Sequence, residues 1–195
     1  DYLNLLLNGT PLIDVRAPIE HQCGALPFAI NLPLMTNDER HEIGICYREH
    51  GQKAAVALGH KRVCGADKEA RVNAWQVFFR TNPTAVLYCA RGGLRSRISQ
   101  QWLADTGIQC PRVEGGYKGL RSFLIEQINE ICETTKLVLL SGMTGTGKTQ
   151  LIKTLPRTID LEGAANHKGS SFGRPLGEQP AQIDFENKIT LALMD

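Results

Sequence analysis

The stretch TAVLYCARGGLRS, Thr84 to Ser96, decides the fold. Its first part is apolar and contains β-branched Val86, which reads as a buried strand that delivers Cys89 straight into a loop. SRISQQWLADTG, Ser96 to Gly107, continues as a helix with Ile98, Trp102 and Leu103 on one face and Gly107 as a C-terminal stop. A strand, a glycine turn and a helix in that order predict a parallel α/β unit. An arbitrary strand-end cysteine is a small buried hydrophobe, but this setting points to a reactive thiolate. Gly92 and Gly93 let successive N–H groups turn inward as an anion nest, and Ser96 is expected to cap the helix whose positive end aims at the sulfur. Arg91 and Arg95 add full charges, each able to grip an oxyanion bidentately, and the thiol pKa falls in such surroundings.

Working outward, PLIDVRAP (11–18) reads as a short buried strand and loop, and GALPFAINLPL (24–34) as a loop feeding a second short strand. From 37 to 80 the composition shifts to Ala, Glu, Arg and Lys with apolar residues every three to four positions, predicting two or three helices separated at Gly51, Gly59 and Gly65. CPRVEGGYKGLRSFLIEQINEICE (110–133) predicts a short strand, a glycine turn and an amphipathic helix. ETTK, Glu133 to Lys136, is a polar break, so a first domain is placed at 1–132, with a helical insertion at about 37–80, and a second at 133–195.

The second domain opens on KLVLLSGMTGTGKT. Gly142, Gly147, Lys148 and Thr149 complete the phosphate-loop pattern, with Thr144 and Gly145 inside it. The apolar run before it is expected to be a strand, and KTQLIKTL after it a helix. In that geometry backbone N–H groups and the helix dipole hold phosphate oxygens, Lys148 neutralises charge and Thr149 can ligate Mg²⁺, with Asp160 a candidate second ligand. The pattern does not distinguish a nucleotide from another phosphate ester.

Composition narrows the rest. Twenty-two Lys and Arg against 20 Asp and Glu leave a net charge of +2, so any nucleic-acid surface must be local. Lys61, Arg62, Lys68, Arg71, Arg112, Lys118 and Arg121, with His167, Lys168 and Arg174, are where phosphate contacts would lie. The longest apolar run is far below the roughly 20 residues of a membrane span. Six cysteines would permit disulfides, but a phosphate loop implies a reducing, cytoplasmic setting, and all six are read as thiols. His41, Cys46, His50, His60 and Cys64 lack the paired spacing of a zinc site and are read as helix positions. Trp75 and Trp102 sit in helical apolar patterns and are placed in the core. The chain has no initiator Met and stops about 60 residues into a nucleotide-binding domain, so it is expected to be a fragment.

IDVRAPIEHQCGALPFAINLP, VLYCARGGLRS and VEGGYKGL resemble, in this order, the strand signatures, active loop and closing motif of the rhodanese family. That likeness covers roughly residues 1–130. It implies a rhodanese-like parallel sheet flanked by helices, followed by the start of a P-loop NTPase-like α/β domain, with a persulfide carried on Cys89. Cys89 and Arg95 also have the C-x5-R spacing of phosphatases, but Tyr88 stands where those enzymes usually have His.

Together with LPLMTNDER, GMTGTGKT, DLEG and HKGSSFGR, the domain order resembles the bacterial tRNA 2-selenouridine synthase family over essentially the whole chain. The resemblance implies a transferase that replaces sulfur by selenium in wobble 2-thiouridine of tRNA, using selenophosphate, with S-geranylation from geranyl diphosphate as an intermediate step. Cys89 would carry selenium or act as nucleophile in the nest of Arg91, Gly92, Gly93, Arg95 and Ser96. Gly142 to Thr149 would grip a phosphate-bearing donor, with the geranyl diphosphate first among them. No tightly bound cofactor is implied; a selenophosphate-supplying enzyme is a partner by the same reasoning. A stand-alone sulfurtransferase, a non-catalytic binding module and a phosphatase remain alternatives.

Overall fold

The computed structural model describes residues 1–143, 145–167 and 179–194. In chain order they form α1 (Tyr2–Leu7), β1 (Leu12–Asp14), α2 (Pro18–Gln22), β2 (Ala29–Asn31), α3 (Asn37–Arg62), α4 (Gly65–Thr81), β3 (Val86–Tyr88), α5 (Leu94–Ala104), α6 (Gly116–Thr134), α7 (Lys148–Thr154), α8 (Leu161–Ala164) and α9 (Gln182–Met194). The architecture is α/β, with the strands in one parallel sheet of order β2-β1-β3. Two compact units result. One comprises Asn8–Cys23 and Phe28–Leu120, the other Asp1–Leu7, Gly24–Pro27 and Arg121–Asp195.

In the first unit β1 is central, with Ile13 in register with Ile30 on one side and Leu87 on the other. All three of its residues are buried, as expected of a parallel strand covered on both faces. The core joins Ile13, Val15 and Leu87 to Trp75 and Phe79 of α4 and to Trp102 and Leu103 of α5. Trp75 stacks on Trp102 at 6.3 Å between ring centroids and donates its indole N–H to the Leu32 carbonyl at 2.9 Å. Both tryptophans therefore sit where their apolar periodicity places them. The strand expected near Val113 is reduced to one parallel bridge, Leu87 to Arg112, flanked by backbone bonds from Leu87 to Pro111 and from Val113 to Leu87.

The insertion is helical. TNDE opens α3 with a reciprocal capping box: the Thr36 hydroxyl accepts from the Glu39 amide at 3.2 Å, and Glu39 accepts from the Thr36 amide at 2.7 Å. Gly51 (φ 79°, ψ −179°) breaks the helical path. A methyl group at Gly59 would touch Ile43 at 3.6 Å. In a straight helix these residues would stand about 24 Å apart, so α3 folds back at Gly51 into two packed arms. Gly65 (φ 51°) starts α4. Gly59 does not separate helices, contrary to the sequence expectation, because it is where the second arm approaches the first.

In the second unit Arg121 of α6 donates to Asn187 of α9 at 2.8 Å and pairs with Glu186. Asn187 is fully buried and donates to the Ala25 carbonyl at 2.8 Å, while Asp184 accepts from the Ala25 amide at 2.6 Å. Tyr2 meets Phe123 edge to face at 5.8 Å. The strand expected over KLVLLS is absent: 136–143 carries no ladder, and Val138 and Leu139 are 85% and 79% exposed. A strand is stable only when neighbours pair its backbone, and no described residue forms a ladder with this run. No described helix is long and apolar enough to cross a membrane.

Candidate active site

Cys89 follows β3 directly, and the next carbonyl groups are tied down from VEGGYKGL. The Tyr117 amide donates to the Cys89 carbonyl and the Lys118 amide to the Ala90 carbonyl, both at 2.9 Å. These N–H groups belong to the first turn of α6, where the helix itself offers no acceptor, and they clamp the loop. The clamp needs Gly92 (φ 63°) and Gly116 (φ 59°). A β-carbon on Gly116 would stand 2.2 Å from the Cys89 oxygen and 2.4 Å from the Gly92 amide nitrogen. Arg112 braces the loop as well, donating to the Gly92 carbonyl and to Gln100, each at 2.9 Å.

The sulfur lies inside this nest and is 3% exposed. Its S–H faces the Ser96 hydroxyl oxygen at 3.3 Å, and that hydroxyl donates to the Gly93 carbonyl at 3.0 Å. Burial by itself raises the thiol pKa. It is outweighed by the Ser96 side chain, the amides of Arg91 and Ser96 and the charge of Arg95, so the net shift is downward from 9.0. Cys110, equally buried but without such donors, is pushed up to about 11. All six cysteines are free thiols.

Two details differ from the sequence expectation. Ser96 is not the cap: Gly93 occupies that position and α5 starts at Leu94. Gly93 has no side chain to compete for the first-turn amides, which leaves Ser96, one turn in, free to face the sulfur. Arg95 does not present an open fork. Its two terminal nitrogens bind Glu20 at 2.5 and 3.0 Å, and Glu20 also holds Arg40 at 3.0 Å. Arg91 is exposed at the loop surface.

Glu20, the third residue of α2, was not singled out in the sequence, because nothing local joins it to a residue 75 positions away. Asp14 and Arg16 were likewise missed as a pair. Arg16 lies 3.8 Å from the Tyr117 ring centroid, and its Nη2 meets Asp14 at 2.6 Å, with both residues buried. Tyr88 stacks on Tyr117 at 6.3 Å. This buried ion pair therefore supports the two tyrosines that flank the loop and its clamp.

Several arginines set aside for RNA phosphates are engaged in the fold. Arg62 pairs with Glu42 at 2.7 Å, Arg71 with Glu39 at 2.9 Å, Arg121 with Glu186, and Arg112 holds the loop. Lys68 lies 4.6 Å over the Trp102 ring. Lys168 and Arg174 lie outside the described residues.

In the second unit Gly145 (φ 82°) and Gly147 (φ 79°) adopt the left-handed conformation, and α7 begins at Lys148. The Lys148 ammonium donates to the carbonyls of Gly142 and Met143 at 2.7 and 2.8 Å, folding back across its own loop. Thr149 is exposed, and Thr144 lies outside the described residues. Asp160 caps α8, accepting from the Gly163 amide at 2.9 Å. Among the described residues no group of three or more His, Cys, Asp or Glu is arranged to hold a metal ion.

Alkylation of Cys89 by a small reagent such as iodoacetamide, followed by peptide mass spectrometry, should rise through a midpoint below pH 9.0. Ser96→Ala should move that midpoint upward, because burial is then less opposed. The interactions that depress the thiol pKa add stability above pH 9.0, and that contribution is lost as pH falls through the folded midpoint. An unchanged Ser96→Ala midpoint would show that the hydroxyl does not support the anion.

A family model described as the tRNA 2-selenouridine synthase AAA domain matches residues 135–195. Along its whole length the chain is 56% identical to the tRNA 2-selenouridine synthase of Hahella chejuensis, 54% to that of Pseudomonas syringae pv. tomato and 54% to that of Marinobacter nauticus, covering 51%, 53% and 53% of those proteins. The crystal structure of the N-terminal domain of a protein named for ATP/GTP binding, from Clostridium difficile 630, matches with a TM-score of 0.51 and 30% identity, over 58% of this chain and 88% of that one. The chain spans about half the length of the curated relatives it matches. Averaged over 194 aligned residues the chain is thus more than half identical to these tRNA 2-selenouridine synthases, and residues 135–195 are similar to the AAA domain described for that family.

Proposed function

We propose that this chain forms the chalcogen-handling part of a cytoplasmic transferase that exchanges sulfur for selenium in wobble 2-thiouridine of tRNA, with selenophosphate as selenium source and S-geranylation as an intermediate step. The single observation carrying the reading is the placement of Cys89, buried at the end of β3 in a loop closed by Gly92 and Gly116 and with its sulfur 3.3 Å from the Ser96 hydroxyl. Residues 1–132 act as a rhodanese-like domain with its helical insertion, and 133–195 as the start of a P-loop NTPase-like domain. The amides of Arg91 and Ser96 stabilise Cys89 as a thiolate, or the anionic end of a selenylsulfide on it, without reorganisation. The phosphate loop holds a phosphate-bearing substrate through its amides and Lys148, and Thr149 is the residue that would ligate an accompanying Mg²⁺. A selenophosphate-supplying enzyme is the expected partner.

Glu20 weighs against phosphate-ester hydrolysis at Cys89. It occupies both terminal nitrogens of Arg95, and a carboxylate there opposes a phosphate dianion. Mass spectrometry of tRNA wobble nucleosides from cells lacking, and then regaining, the full-length protein tests the reading. Selenouridine should vanish and return with the protein; its persistence in the deleted strain would reject the assignment.

A further inference from the structure

The two arms of α3 and the face of α5 bearing Leu94, Ile98 and Trp102 line a cavity of about 550 Å³ that lies wholly within the first unit. That is within the range of about 300–1,000 Å³ for small-molecule sites. Its floor is apolar and buried, built from Leu34, Met35, Ala55, Val63 and Trp102. Its rim is polar, with Arg40, His41, Arg48 and His60 exposed. Three arginines line it against one carboxylate, Glu20, which is already shared by Arg40 and Arg95. An apolar floor under a cationic rim selects an amphiphile: an apolar chain that ends in an anionic head.

The cavity also touches the active loop. Leu94 and Arg95 lie on its wall, and Arg95 is the residue whose charge helps to depress the Cys89 thiol. A head group at this rim would therefore sit beside the reactive centre, not at a remote face.

We propose that this cavity, and not the phosphate loop, seats the prenyl diphosphate donor, with its chain on the Trp102 floor and its diphosphate at Arg40 and Arg48. The proposal rests on the geranyl-transfer step of the reading above. In that step the thiouridine sulfur bonds to C1 of the prenyl chain as the C1–O bond breaks. The electron pair leaves on the diphosphate, and the thiouridine N3 proton goes to solvent. Arginines at the rim stabilise the charge that develops on the leaving diphosphate. The phosphate loop is then left for the other phosphate-bearing substrate, selenophosphate.

Two substitutions probe the site without removing core packing. No atom lies within 4 Å of where a β-carbon on Gly44 would stand, so Gly44→Leu branches from an open position and adds bulk to the cavity wall. Arg48 is exposed on the rim, and Arg48→Glu reverses its charge. Titration calorimetry of the 195-residue chain with geranyl diphosphate should show binding weakened about tenfold or more by either change and left unaltered by Lys148→Ala or Cys89→Ala. Geraniol and pyrophosphate, which each carry half of the ligand, should bind far more weakly than the intact molecule. Failure of the unaltered chain to bind geranyl diphosphate would overturn the proposal. So would wild-type affinity in both cavity variants with loss in Lys148→Ala, which would return the donor to the phosphate loop. Neither outcome touches the selenium exchange assigned to Cys89, which the wobble-nucleoside comparison measures separately.

Discussion

Cys89→Ala in the full-length protein is expected to abolish formation of selenouridine, lowering turnover by about three orders of magnitude or more, the scale seen when a covalent nucleophile is removed. The expectation follows from where the nest directs its interactions. The Ser96 hydroxyl, the amides of Arg91 and Ser96 and the Arg95 charge all act on one sulfur atom, and a methyl group can use none of them. The fold should survive, because removing one buried sulfur costs on the order of 1–2 kcal/mol. Thermal melting of the variant separates lost chemistry from lost structure. Cys110→Ala is the matched control: its thiol is buried too, but pushed up to about 11, so activity should persist. A Cys89→Ala protein that still makes selenouridine at more than a few per cent of the normal rate would remove the thiolate from the mechanism.

Gly116→Ala carries the largest expected effect on stability. The residue sits at φ 59°, which costs an L-residue about 1–2 kcal/mol. Its added carbon would also lie 2.2 Å from the Cys89 carbonyl oxygen, which is backbone and has no rotamer to move. Relief requires opening the clamp that joins Tyr117 and Lys118 to Cys89 and Ala90. A loss of about 3 kcal/mol or more is therefore expected, read as a lower urea midpoint. The Cys89 alkylation midpoint should also move toward that of an unperturbed thiol. Gly107→Ala isolates the backbone contribution: φ is 87° but no atom lies within 4 Å of its added carbon, so only about 1 kcal/mol should be lost. Equal destabilisation by the two changes would mean that the clamp contributes nothing.

Local signals in the chain proved readable because their physics is local. Val86 to Tyr88, the glycine turn and α5 each follow from residues within a few positions, as does the break in α3 at Gly51. The expected strand over 136–141 failed for the complementary reason. Apolar residues confer only a tendency to pair, and a parallel ladder needs partners that its own sequence cannot supply. Ser96 misled in a similar way: serine is a good cap by type, but the helix begins three residues earlier, with Gly93 as its cap.

What the sequence by itself determined is the local setting of Cys89: one cysteine at a strand end, before glycines, arginines and a helix. Only the tertiary structure decided that Glu20 occupies Arg95, that Gly116 closes over the Cys89 carbonyl, and that the arms of α3 leave an apolar cavity beside the same loop. Each of these joins residues far apart in the chain. Such contacts form only after long loops have closed, and no short-range propensity encodes which partners will meet.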